Sequence, residues 1–238
     1  MKTFPQCYPV TSGETLKAVE HFPKHIRSIL MFTSEISRRD LTIICVGGGS
    51  VTDFGGFVAS VLKRGVNLVH IPSTWLAAID AAHGGKTALN VAGIKNQIGT
   101  FYPASKIFLV KEVLMAQPEP RANEALPELV KIAMIDGGVW AQKLLEDEQT
   151  ASSALIWKNL RHAIAAKQRI VAQDPYEKNG KREVLNLGHT VGHVYEAYYG
   201  MPHGEAIAHG LRFALKWSLK KFQGETLNPL LCKEGNRG

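Results

Sequence analysis

Three histidines fall in one stretch of the sequence, Asn186-Leu-Gly-His-Thr-Val-Gly-His193 followed by His203-Gly-Glu205. His189 and His193 are four residues apart, so a helix there presents both on one side. His203 comes after a loop carrying Gly200 and Pro202. Imidazoles with an acidic partner suit Zn²⁺, and a site with three protein ligands keeps one position open for substrate. Glu128, in the largely apolar run Pro127-Glu-Leu-Val-Lys131, is an acidic residue available as that partner. The HxxxH spacing alone is common on helices that bind nothing, and it does not select which histidines would coordinate.

A second chemistry is suggested by Gly47-Gly48-Gly49-Ser50, which follows a strand-like run and opens a helix-like one. Glycines there let backbone N–H groups approach a phosphate, and a helix N-terminus adds a partial positive charge. The spacing is not GxGxxG, so the dinucleotide fingerprint itself is absent. Asp53 is expected in the first helical turn. Gly84-Gly85-Lys86-Thr87 superficially resembles a P-loop, but GxxxxGK[ST] would need glycine where Asp80 stands. An NTPase is therefore rejected. Lys86, Lys95, Asn96 and Arg64 remain as donors for an anion.

These residues need a frame. Leu41–Val46 and Val66–Ile71 read as buried strands, Lys106–Val110 as a third, and 52–63 as an amphipathic helix between the first two. A βαβ unit implies a parallel sheet. Past Pro118-Glu119-Pro120 strand signals vanish, and Arg121–Met134, Ser152–Gln173, Leu185–Tyr199 and Glu205–Phe222 read as helices. The expected architecture is α/β: a Rossmann-like parallel-sheet domain over 1–116, then an all-α domain over 117–238, with the active site between them. At 238 residues and 45% hydrophobic content, the chain can bury a core and is too apolar to be disordered. The formal charge of +7 is spread rather than clustered, which favours a small anionic partner over nucleic acid. No apolar run reaches the roughly 18–20 residues of a membrane span, and the N-terminus has no secretory core. Three scattered cysteines, Cys7, Cys45 and Cys232, argue for a reducing cytoplasm.

Taken together, the segments resemble the 3-dehydroquinate synthase family of the sugar-phosphate cyclase superfamily. The carriers are SGETLK (12–17), VGGGSVTDFGGFVAS (46–60), KRG (63–65), IPSTWLAAID (71–80), GGKTALN (84–90), IKNQIGTFYP (94–103), PELVK (127–131), VLNLGHTVGH (184–193) and HGEAIAHG (203–210). The resemblance implies Glu128, His189 and His203 as ligands of Zn²⁺ or Co²⁺, with His193 free to contact substrate and move protons. It implies NAD on Gly48, Gly49 and Asp53, with Glu14, Lys17, Ser73, Thr74, Asp80 and Lys95 as further contacts. Arg64, Lys86, Asn96, Lys131, Lys167, Arg182 and Asn186 would grip the substrate's carboxylate and phosphate, and several fixed cations suit such a polyanion. The implied reaction converts 3-deoxy-D-arabino-heptulosonate 7-phosphate to 3-dehydroquinate and phosphate, a step of aromatic amino acid biosynthesis. A homodimer is implied as well.

The chain also departs from the family pattern. Few residues precede the SGETLK block, and the family's outer strands and last helical segment have no counterpart. Asp80-Ala-Ala-His83 stands for the usual Asp-Ser-Ser-Val, Pro127 for the usual Ala, and Arg182 sits one residue further from Asp174. Three alternatives accompany the main expectation: a cyclase for another sugar phosphate, a non-catalytic family member, and a metal-dependent dehydrogenase of the glycerol dehydrogenase kind.

Overall fold

The computed structural model describes residues 6–147 and 150–221. Two units divide the chain, Met1–Ala116 and Gln117–Gly238. The first contains α1 (Phe22–Thr33), with Pro23 in its opening turn, then β1 (Thr42–Gly47), α2 (Gly49–Val61), β2 (Asn67–Pro72), α3 (Trp75–Ile79), β3 (Lys86–Val91), β4 (Ile94–Phe101), β5 (Lys106–Ile107) and α4 (Lys111–Met115). The β-branched runs become a parallel sheet in the order β1-β2-β5. Thr42 faces Asn67 and Gly47 faces Pro72, so β1 and β2 end together. Helix α2 starts earlier than its periodicity predicts, directly after the glycine turn, and this places Asp53 beyond its first turn.

Phe54, Phe57 and Val58 of α2 bury against Leu41, Cys45 and Leu68. The contact is close: a Cβ on Gly55 would lie 2.2 Å from Cys45 Sγ. Burial pushes the Cys45 thiol up to about 12, which makes it an inert core residue.

Strands β3 and β4 form an antiparallel hairpin that the sequence analysis did not anticipate. Val91 pairs with Ile94 across Ala92-Gly93, both at positive φ (49° and 79°). That is the twist a two-residue hairpin turn demands. Lys86, Lys95 and Asn96 are exposed on this hairpin, whereas Thr87 and Asn90 are buried beneath it.

The second unit holds α5 (Glu119–Asp136), α6 (Val139–Glu146), α7 (Ser152–Gln173), α8 (His189–Tyr199) and α9 (His203–Lys221), with no strand among its described residues. The segment expected as one helix over 185–199 is divided: a 3₁₀ turn, Lys181–Asn186, ends before Gly188 (φ 80°), and α8 begins at His189. The expected end at Phe222, like Cys232, lies outside the described residues. Pro127 sits inside α5, where it withholds one N–H from the helical ladder without ending the helix. Among the described residues no helix is long and apolar enough to cross a membrane.

His70, on the central strand β2, is 4% exposed, and its Nδ1 has no hydrogen-bond partner among the described residues. Burial lowers its pKa from 6.5 to about 4. The unfolded chain therefore binds this proton more tightly than the folded one. Its effect on stability is nil above pH 6.5 and grows unfavourable as the pH falls towards 4. At roughly 1.4 kcal/mol per pKa unit, the loss between pH 7 and pH 4.5 is about 2–3 kcal/mol. Urea unfolding at those two pH values should show His70→Leu losing less stability than the parent by about that amount; equal losses would refute this assignment.

Candidate functional site

Helix α5 presents Glu128 from its buried side, where the side chain is 1% exposed. Its Oε2 is held by the buried Lys131 Nζ at 2.5 Å, one turn further along. Its Oε1 lies 3.4 Å from His189 Nε2 and 3.6 Å from His203 Nε2. One ligand atom from each of Glu128, His189 and His203 falls within 4.8 Å of the other two. Two bonds of about 2.1 Å at a tetrahedral angle put donor atoms about 3.4 Å apart, so both carboxylate–imidazole separations are those of a shared cation.

The imidazoles are oriented from behind. His189 Nδ1 lies 3.3 Å from the Leu187 carbonyl, and His203 Nδ1 lies 3.2 Å from Glu196 Oε1. A proton on each Nδ1 leaves the Nε2 lone pairs facing Glu128. Burial lowers the His189 pKa, helped by the charge of Lys131 and opposed by Glu128. Burial also acts against charge on His203, but the Glu128 and Glu196 carboxylates outweigh it and raise its pKa. This N/O donor set, with both nitrogens available and the carboxylate fixed, fits Zn²⁺ or Co²⁺.

Glycines make the convergence possible. A Cβ on Gly204 would lie 1.8 Å from the Glu124 carbonyl of α5, and one on Gly210 would lie 1.9 Å from the Gly188 carbonyl. Helix α9 thus meets α5 one turn before Glu128, and meets the start of α8 just before His189, through backbone alone. His193 is brought to the same place, its ring centroid 5.4 Å from that of His189, but its side chain is 62% exposed. Lys167 is buried on α7. Arg182 is buried in the 3₁₀ turn, its Nε 3.3 Å from Glu177 Oε1, while Asp174 accepts the N–H groups of Lys178, Asn179 and Arg182. Asn186 is exposed at the end of the 3₁₀ turn.

In the first unit, the glycine turn lies at the C-terminal ends of parallel strands, the usual ligand edge of such sheets. The Ser73 N–H donates to the Gly47 carbonyl at 2.9 Å, and a Cβ on Gly48 would lie 3.1 Å from Thr74 Cγ2. Thr74 caps α3 by accepting the Ala77 N–H. Buried Lys17 donates to Asp53 Oδ2 at 2.7 Å and to Asn96 Oδ1 at 2.5 Å. Asn90 donates to Glu14 Oε2 and accepts the Asn96 N–H. Burial raises the Asp53 pKa against the pull of Lys17, with Glu14 and Asp80 adding to the rise. Glu14, Lys17, Gly48, Asp53, Ser73, Thr74 and Asp80 therefore gather around one end of α2, and Asn96 lies with them. Lys95 is exposed on β4, and Lys86 is exposed at the open end of the hairpin. Arg64 stands past the other end of the 13-residue α2, roughly 20 Å along the helix axis from Gly48.

Sequence reasoning missed Glu196 and the packing role of Gly204 and Gly210. The signal for Glu196 was its place seven residues after His189, on the same helical face.

The chain thus combines a parallel α/β unit carrying a glycine turn at its strand ends with a helical unit in which two imidazoles and a carboxylate converge. Family models described as 3-dehydroquinate synthase N-terminal and C-terminal match residues 7–124 and 125–228. The chain belongs to the 3-dehydroquinate synthase family. It is 40% identical over 200 residues to the bifunctional shikimate kinase/3-dehydroquinate synthase of Thermotoga maritima, covering 84% of this chain and 40% of that protein. It is 38% identical over 226 residues to the 3-dehydroquinate synthase of Alkaliphilus oremlandii, covering 91% of this chain and 60% of the relative. The chain thus spans two-fifths to three-fifths of the length of these two relatives. Among solved structures, a 2-deoxy-scyllo-inosose synthase complexed with carbaglucose-6-phosphate, NAD⁺ and Co²⁺ is similar at TM-score 0.76 and 29% identity, over 88% of this chain and 59% of that one. A Streptomyces hygroscopicus 2-epi-5-epi-valiolone synthase shares the fold at TM-score 0.74 and 22% identity, over 93% and 67%.

The backbone contacts predict a specific sensitivity. Gly210→Ala forces the α8 start off α9 and should lower stability by about 1–3 kcal/mol, read as a shift in the urea midpoint. It should also weaken Zn²⁺ binding, measured by competition with a chelating dye. An unchanged midpoint and unchanged affinity would show that the helices do not need this contact.

Proposed function

We infer that the chain carries 3-dehydroquinate synthase chemistry, converting 3-deoxy-D-arabino-heptulosonate 7-phosphate to 3-dehydroquinate with release of phosphate. The observation that carries this is the convergence of Glu128, His189 and His203 in a chain of this family. These three residues would hold a divalent cation, Zn²⁺ or Co²⁺. Gly48, Gly49, Asp53, Ser73, Thr74 and Asp80 would hold NAD, with Glu14 and Lys17 bracing Asp53 and Lys95 on the nucleotide's outer side. When bound, the two groups supply a Lewis acid for a substrate carbinol oxygen and a hydride acceptor restored within each turnover.

The chain's own residues do the rest. Lys131 fixes one oxygen of Glu128 so that the other is presented to the cation. Arg182, Lys167, Asn186, Lys86, Asn96 and Arg64 bind the substrate's carboxylate and phosphate as charge-assisted partners. His193, exposed beside the metal ligands, is free to take the proton from the C–H that oxidation acidifies and so let phosphate leave by β-elimination. With the carbonyl reduced back to the carbinol, ring opening and an intramolecular aldol closure then complete the carbocycle. This reading carries with it a cytoplasmic homodimer. A related cyclization of a hexose 6-phosphate is the second reading, favoured by the 29% identity to the 2-deoxy-scyllo-inosose synthase.

Phosphate release from the heptulosonate phosphate, with NAD and Zn²⁺ or Co²⁺ added, tests this reading. The expected result is steady release without net NADH, abolished in Glu128→Gln. Release from a hexose 6-phosphate alone would establish the second reading. No release from either, with metal demonstrably bound, would remove the catalytic assignment. NAD at about 100 times its dissociation constant should raise stability by roughly 2.7 kcal/mol, and a folded chain with no shift in melting temperature would contradict the nucleotide site.

A further inference from the structure

The helical site also holds Glu196, an acidic side chain to which the proposed reaction gives no task. It lies on α8, seven residues after His189 and three after His193, so all three share a face. Its Oε1 is 3.2 Å from His203 Nδ1, and its Oε2 is 3.8 Å from His193 Nε2. His203 is the first residue of α9, reached after Gly200 (φ 64°) ends α8. A residue at that position has no preceding helical turn to confine its ring, and its side chain is still 32% exposed. His189 is tied down by its own chain, through the Leu187 carbonyl two residues away. His203 receives the equivalent support from another helix.

We propose that Glu196 is a positioning residue for the metal ligand His203: it accepts the Nδ1 proton, fixes the tautomer that presents Nε2 beside Glu128, and raises the basicity of that nitrogen. An acceptor behind a coordinating imidazole does this generally, and its loss costs about 10–100-fold in metal affinity. Because the same carboxylate reaches towards His193, it also sets the spacing between a ligand and the exposed imidazole next to it. The inference rests on the metal reading of Glu128, His189 and His203.

The test is Zn²⁺ affinity of the full chain, measured by competition with a chelating dye, together with the visible absorption of Co²⁺. Glu196→Ala should bind Zn²⁺ about 10–100-fold more weakly and change the Co²⁺ spectrum. Glu196→Gln keeps an acceptor oxygen at the same reach and should recover most of the affinity. Glu196→Asp keeps the charge but withdraws it by one methylene, and should not recover it. A purely structural role would make all three follow thermal stability instead of acceptor reach, so that pattern overturns the proposal. If Glu196→Ala fails to fold, the contrast between the Gln and Asp variants decides the matter alone. Affinity within threefold of the parent in Glu196→Ala, with His203→Ala binding poorly, removes the role of Glu196 and leaves the metal site standing. A parent chain that binds no Zn²⁺ at all removes both.

Discussion

Backbone-to-backbone contact at Gly204 and Gly210 is the constraint on which the helical site depends. Two helices with ordinary side chains between them pack with their axes roughly 8–10 Å apart. A Cβ at either position would overlap a carbonyl oxygen at under 2 Å, so the segments sit closer than side chains allow. Only with that spacing does His203, at the first position of α9, reach a carboxylate buried on α5. Gly192 belongs to the same seam, where a Cβ would meet Ile207 Cδ1 at 2.8 Å. The glycines flanking the histidines in GHTVGH and HGEAIAHG are therefore the spacers that let the chemically active residues meet.

The electrostatics follow from the same burial. Glu128 and Lys131 are each about 2% exposed or less, and separating such a pair would leave a charge in a poorly solvated interior. The pair leaves Oε1 as the outward oxygen and fixes its direction. The two histidines then respond oppositely to one environment. Burial, with the charge of Lys131, lowers the His189 pKa; the Glu128 and Glu196 carboxylates raise that of His203 against its own burial.

Much of this was legible in the sequence because it rests on local signals. The parallel strands showed as β-branched runs, α7 as apolar periodicity over Ser152–Gln173, and the metal residues as unusual types in otherwise apolar or glycine-rich stretches. The hairpin was missed because Val91-Ala92-Gly93-Ile94 lacks the usual Asn or Asp, and Ala92 adopts positive φ only because strand pairing on both sides requires it. Glu196 escaped because its spacing from His189 shows a shared helical face but no partner on it. Its meaning depends on where α9 returns, which is a tertiary fact. The placing of Asn96 beside Lys17 and Asp53 likewise depends on how the hairpin folds onto α2.

On the proposed reading, the two units solve different recognition problems with different parts of the chain. A phosphate-bearing nucleotide is a large, diffuse anion, and backbone N–H groups at a helix N-terminus meet it without any particular side chain. What the first unit must supply is absence of bulk at Gly48 and Gly49, and a rigid setting, here the Lys17 bridge between α2 and the hairpin. A divalent cation is small and needs donor atoms placed to a few tenths of an ångström, so the second unit fixes each donor twice. Glu128 is held by its helix and by Lys131, His189 by α8 and the Leu187 carbonyl, and His203 by α9 and Glu196. Substitution tolerance should differ accordingly: in the first unit it is limited by added volume, in the second by the loss of any one of the paired restraints.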